Sequence, residues 1–220
     1  MTNKENIEEE FDIREEYFTL SQELYQHLDD NNIRTNPKLI IAIGGESGCG
    51  KSTTAFCLQK EFNERDLNCV ILHMDSYFKL PPKDNHQNRL KSLDNVGPQE
   101  VNMSLLNEHL RSFKNNGIAL TIPVVNYKEN VFTQKELSIK EIDIIIVEGV
   151  YSFMLEHLNQ KIFLSKNYME TLHDRVKRTR EKYDPIVENI LEIEHKIVRP
   201  MIAEADIVID KNYSISSIKS

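Results

Sequence analysis

From Lys38 onward, short apolar runs alternate with longer amphipathic stretches. Residues 39–43, 69–74, 118–124, 142–147, 161–164 and 207–209 are rich in β-branched residues, and several lack polar alternation. That pattern predicts strands covered on both faces, as in parallel sheets. Between them, residues 52–65, 99–115, 151–158, 168–182 and 185–202 carry helical patterns. Such alternation predicts an α/β domain of three layers, a mostly parallel sheet flanked by helices. Residues 81–98 are polar and show no period, which predicts a long connection of the kind that carries function.

The start of the chain reads differently. Tyr17, Leu20, Leu24 and Leu28 recur at helical spacing, with Phe18 and Tyr25 beside them and Glu8, Glu9, Glu10, Glu15 and Glu16 crowded nearby. The spacing predicts an amphipathic helix ending near residues 29–32, before Pro37. The expected organisation is a helical appendage over residues 1–36 and a main domain over 37–220. The helix either packs on that domain or forms a contact in a homo-oligomer.

Composition narrows the classes. The chain has 220 residues, 27 Lys plus Arg against 35 Asp plus Glu, and a net charge of −8. That balance argues against a nucleic-acid partner bound through a basic surface. No apolar run approaches the ~20 residues of a membrane span, and the first residues lack a secretory signal's apolar stretch. Cys49, Cys57 and Cys69 cannot all pair and fit no zinc spacing. Free thiols and a cytoplasmic location are expected.

The strongest local signal is Gly45-Glu46-Ser47-Gly48-Cys49-Gly50-Lys51-Ser52, followed by Thr53. It matches G-x-x-x-x-G-K-[ST] at every fixed position, after a predicted strand and before a predicted helix. Glycines let main-chain N–H groups turn toward phosphate oxygens at the helix's positive end. Lys51 can reach the β- and γ-phosphates of ATP, and Ser52 can ligate Mg²⁺. The three-layer domain is thus expected to be of the P-loop NTPase type. Cys49 is either a reactive thiol at a helix N-terminus or a small residue that fits.

Two acids follow two further strands. Glu148, after 144–147, suits Mg²⁺ coordination, or is a solvated strand end. Asp75, after 69–74, suits a proton acceptor, or caps the next helix. Asp143, at the other end of its strand, is expected to face solvent. Arg175, Arg178 and Lys182 share one helical face, with Arg180 and Lys177 nearby; they lie over a transferring phosphoryl group or form a solvated face. His73 is expected to pack in its strand, and His86 to sit in an exposed loop. Tyr77 and Phe78 either wall an acceptor pocket or fill the core. Asp94-Asn95-Val96-Gly97 fits D-x-x-G, but no N-K-x-D segment follows, so a guanine-nucleotide switch is not expected. The size fits a small-molecule kinase.

These residues resemble the uridine kinase and phosphoribulokinase family of P-loop kinases. The resemblance is carried by residues 45–52, Asp75-Ser76-Tyr77-Phe78, Leu93-Asp94, Ile122-Pro123-Val124, Glu148-Gly149 and the 175–180 stretch, in the family's order. It implies transfer of phosphate from ATP to a sugar 5′-hydroxyl, uridine's above all, as in pyrimidine salvage. It implies Asp75 as catalytic base, Asp94 on the ribose hydroxyls, and Arg175, Arg178 and Arg180 at the lid and phosphate site. Val125 stands where the family carries an aromatic residue on the base, and Tyr127, Asn126 or Asn130 are the replacements expected to meet it. A different acceptor, pantothenate or a sugar phosphate, and a regulatory nucleotide-binding protein without transferase activity are the alternatives.

Overall fold

The computed structural model describes residues 14–30, 38–171 and 185–218. Five parallel strands form the centre: β1 (Leu39–Gly45), β2 (Cys69–His73), β5 (Ile144–Glu148), β6 (Gln160–Leu164) and β7 (Ile207–Ile209). The edge strand β8 (Ile215–Ile218) pairs antiparallel to β7, giving the order β2-β5-β1-β6-β7-β8. Side chains of β1 alternate between two cores. Leu39, Ile41 and Ile43 face one, and Ile40 and Ala42 the other. Along β5, Ile144 and Ile146 oppose Ile145 and Val147 in the same way. Both faces are apolar because both are covered, which is why these strands read as unbroken apolar runs.

Helices α1 (Glu15–Asp30) and α2 (Lys51–Asn63) cover the first face. Tyr17, Leu20, Leu24, Tyr25 and Leu28 of α1 share a core with Ala55, Leu58 and Phe62 of α2 and with the strands. The amphipathic stripe read in the sequence is therefore a packing face. On the other side lie α4 (Met103–Lys114) and α5 (Pro185–Val198), with short 3₁₀ turns.

Several expectations are corrected. Residues 81–98 are not one loop: α3 (Pro82–Lys91) runs through them and carries His86, and 3₁₀ turns follow. Residues 151–158 form no α-helix; they hold only the 3₁₀ turn Ser152–Met154, and His157 takes a positive φ of 64°. Strand β3 (Ala119–Asn126) leaves the parallel sheet and pairs antiparallel with β4 (Val131–Ser138) as a separate ribbon. The predicted helix over 168–182 lies outside the described residues from 172 onward. No helix among the described residues is long and apolar enough to cross a membrane.

Candidate active site

The sheet order explains the site. β5 lies between β1 and β2, and Glu148 is in register with Ile43 of β1 and His73 of β2. The phosphate loop leaves β1, Asp75 leaves β2, and Glu148 ends β5, so three adjacent strand ends deliver all three groups to one edge of the sheet. That is the edge where open α/β sheets bind ligands.

The loop has the backbone its glycines permit. Gly45, Gly48 and Gly50 have φ of 142°, 82° and 100°. Gly50 is the N-cap of α2 in a left-handed conformation that a side chain would strain. Lys51 is buried, and its Nζ donates to the Glu46 carbonyl oxygen at 2.8 Å and lies 4.0 Å from Cys49 Sγ. The Cys49 thiol is fully buried, and burial pushes its pKa up. The reactive-thiol reading is thereby overturned; Cys49 fills space against Gly45. Thr53 is buried in the first turn of α2.

Glu148 is buried and carries charge. Burial opposes that charge, but hydrogen bonds from His73 and Ser52 and the proximity of Lys51 outweigh it and hold the carboxyl below its usual range. His73 Nδ1 lies 2.8 Å from Glu148 Oε1. His73 is exposed rather than packed in its strand, a correction that follows from its place at the strand's end. Ser52 and Glu148 thus form an adjacent hydroxyl–carboxylate pair beside the loop, a donor set of hard oxygens that suits Mg²⁺ completed by phosphate and water. Among the described residues no group of three His, Cys, Asp or Glu could hold a metal by itself. A Cβ on Gly149 would strike Met74, so this glycine serves packing beneath the site.

Asp75 stands at the cleft surface on the 3₁₀ turn Met74–Tyr77. Desolvation by flanking protein and repulsion from Glu148 push its carboxyl up, against the opposing pull of Lys51, Tyr127 and His73. The Tyr127 hydroxyl donates to Asp75 Oδ2 at 3.2 Å, reaching across from the ribbon. Tyr77 points the other way. It is buried, and its hydroxyl meets His109 Nδ1 at 2.9 Å, which makes it core and not a pocket wall. Asp94 lies exposed on the turn Leu93–Asn95, its carboxylate accepting from Ser92 Oγ at 3.1 Å. Asn126 is held by Glu129, and Asn130 accepts from the Lys83 N–H. Arg175, Arg178 and Arg180 lie outside the described residues.

Glu46 and Ser47 hold the loop from behind. Glu46 is buried, and its carboxylate accepts from the Tyr168 N–H and meets His195 Nδ1, each at 2.8 Å. Its side chain is therefore structural, leaving only its main chain to the phosphates. Ser47 Oγ donates to Glu194 Oε2 at 2.9 Å, and Glu194 Oε1 lies 3.2 Å from Arg89 Nη2. Arg89 also grips Glu100 with two nitrogens, at 2.6 and 2.9 Å. Asn85, one turn earlier on α3, donates to Glu100 at 2.8 Å. Nothing in the sequence flagged this network, since its members are scattered over more than a hundred residues. Arg89→Ala leaves two buried carboxylates, Glu100 and Glu194, short of their cation. The expected cost is about 3–5 kcal/mol of stability, read as a lower urea midpoint; an unchanged midpoint would contradict the network's role.

Residues 40–214 match the Phosphoribulokinase / Uridine kinase family. The uridine kinase of Erwinia tasmaniensis is 30% identical over 169 residues, 74% of this chain and 78% of that protein. That of Halalkalibacterium halodurans is 29% identical over 167 residues, 74% and 77% of the two chains. Among solved structures, a possible uridine kinase from Bacillus stearothermophilus superposes with a TM-score of 0.59 at 18% identity, covering 84% of this chain and 98% of that one. Phosphoribulokinase from Rhodobacter spheroides gives 0.60 at 14% identity, over 78% and 69%. These likenesses share the sheet-and-helix architecture. With the match spanning most of the described domain, the chain belongs to the phosphoribulokinase and uridine kinase family of P-loop kinases.

Proposed function

We propose that this kinase transfers the γ-phosphoryl group of ATP to the 5′-hydroxyl of a nucleoside, with uridine as the preferred acceptor. The observation that carries the reading is the convergence of Lys51, Glu148 and Asp75 on three neighbouring strand ends. The curated relatives of similar length are uridine kinases, which supports the choice of acceptor.

Each residue has a task that its chemistry suits. The main-chain N–H groups of residues 45–52 wrap the phosphates, and the α2 N-terminus adds its positive dipole. Lys51 neutralises charge on the transferring group. Ser52 and Glu148 are the residues that would hold Mg²⁺. A Mg²⁺ held there would supply positive charge against the phosphate oxygens. Asp75 receives the proton of the attacking hydroxyl, and Tyr127 orients that carboxylate from the far wall. Asp94 accepts hydrogen bonds from the vicinal ribose hydroxyls. Arg175, Arg178 and Arg180 would supply further positive charge to the transferring phosphoryl group.

The test is a panel. With Mg·ATP and uridine, cytidine, purine nucleosides, pantothenate or sugar phosphates, ADP should appear fastest with uridine. Fastest ADP release with pantothenate or a sugar phosphate would replace the acceptor, and no release with any would remove the transferase reading. Asp94→Ala should raise KM for the nucleoside about 10–100-fold, the loss of hydrogen bonds to a charged acceptor. KM for ATP should hardly move; equal effects on both would refute the ribose contact.

A further inference from the structure

Helix α1 lies before residue 40, where the family match begins, yet it reaches the phosphate loop. Tyr17, in its first turn, is buried at 3% exposure, and its ring centroid lies 4.4 Å from that of Tyr213. Tyr213 comes from the other end of the chain, in the turn between β7 and β8, and takes a positive φ of 60°. Both hydroxyls lie over Gly50, and Tyr213 Oη donates to the Cys49 carbonyl oxygen at 3.3 Å. Both rings also press on Gly50. A Cβ placed there would lie 2.6 Å from Tyr17 Oη and 2.9 Å from the Tyr213 ring. Arg14 closes the stack, its guanidinium carbon 5.7 Å from the Tyr17 centroid and 5.5 Å from that of Tyr213.

Gly50 is the residue whose left-handed backbone turns the loop into α2, directly before Lys51. Its conformation decides where the loop's N–H groups point. A glycine there is cheap to place in that well and equally cheap to let out of it. Something outside the loop must limit it, and the two tyrosines are the groups in contact. Two stacked, buried phenols over a bare backbone, one of them bonded to the preceding carbonyl, do this from outside the loop.

We propose that α1 is part of the nucleotide-binding apparatus, with Tyr17 and Tyr213 as positioning residues that pin the phosphate loop at Cys49 and Gly50. The proposal rests on the kinase reading above and extends it to a helix outside the family segment. The pin acts on the polyphosphate, so it favours any ligand with a triphosphate tail and is indifferent to the base. It acts in series: Tyr17 reaches the loop through Tyr213 and through Gly50.

The test measures binding, with no acceptor present. Titrate Mg·ATP and magnesium tripolyphosphate into the full chain and into Tyr17→Phe, Tyr213→Phe and the double variant. Phenylalanine keeps the ring stack and loses only the hydroxyl. Tyr213→Phe should weaken both ligands by about three- to tenfold, the worth of one hydrogen bond, and Tyr17→Phe, which loses the hydroxyl over Gly50, should weaken both in the same direction. The double variant should be little weaker than Tyr213→Phe alone, since coupled residues are not additive. Unchanged affinities in both single variants, with or without a fall in melting temperature, would overturn the pin. Weaker ATP with unchanged tripolyphosphate would also overturn it, assigning the pair to the base instead. A parent chain that binds neither ligand would refute the kinase reading and take this inference with it.

Discussion

Asp75→Asn is expected to lower kcat by about 10²–10⁴-fold, the usual worth of a positioned proton acceptor, while Mg·ATP affinity stays nearly constant. The substitution keeps the side chain's shape and its contact with the Tyr127 hydroxyl, and removes only the basic oxygen. The stability arm has the opposite sign. Desolvation and the Glu148 charge raise the carboxyl's pKa in the folded protein. The folded state therefore binds that proton more tightly than the unfolded chain does. Stability is lost as pH rises through the shifted pKa. Removing the charge should hold or raise the melting temperature at pH 7. A variant that loses activity while gaining stability is the signature of a functional group kept against the fold's interest. If Asp75→Asn instead weakens ATP binding and leaves kcat alone, the acid is not the proton acceptor.

Lys51→Ala should be the more damaging change, with turnover reduced by about 10³-fold or more and the affinity for ATP reduced as well. Lys51 lies near three carboxylates, and Asp75, Glu148 and Glu194 all feel its charge. Its loss leaves those acids facing an incoming triphosphate with no compensation from the loop. The pattern of losses separates the two residues. On the proposed reading Lys51 meets the nucleotide in both ground and transition states, so both KM for ATP and kcat should suffer, whereas the change at Asp75 should appear in kcat. Steady-state kinetics at saturating nucleoside reads both numbers. Full activity in Lys51→Ala would remove the phosphate cradle as the centre of the mechanism.

Much of this site was legible before any fold. The loop of residues 45–52 announces itself because backbone geometry demands glycines at fixed places, and fixed places make a pattern. Asp75 and Glu148 were legible for a related reason: each is a charge at the end of an apolar run, and parallel strands end at the ligand edge. The strands themselves were readable because both faces are buried. Helix α3 was not, because Pro-Lys-Asp-Asn-His-Gln-Asn-Arg-Leu-Lys has no apolar stripe. Polar bonds from Asn85 and Arg89 to Glu100 tie it to the domain instead. β4 escaped for a similar reason, since most of its residues are exposed and only pairing with β3 makes it a strand.

The partners of the site residues were the least legible. His73 looked like a strand residue, and only the register that sets it beside Glu148 reveals its contact. Tyr77 gave no hint of direction until the 3₁₀ turn sent it to His109 and left Asp75 facing the cleft. Tyr17 and Tyr213 lie almost two hundred residues apart, and their meeting at Gly50 depends on the whole sheet closing.

The central claim is that one cleft at the strand ends holds a triphosphate on residues 45–52 and an acceptor alcohol on Asp75. A crystal structure with a non-hydrolysable ATP analogue, Mg²⁺ and uridine tests it most directly. The account predicts the triphosphate wrapped by the loop and the 5′-hydroxyl within hydrogen-bond distance of Asp75, in line with the terminal phosphorus. A triphosphate bound elsewhere, or a closed complex with Asp75 turned away from that hydroxyl, would contradict it.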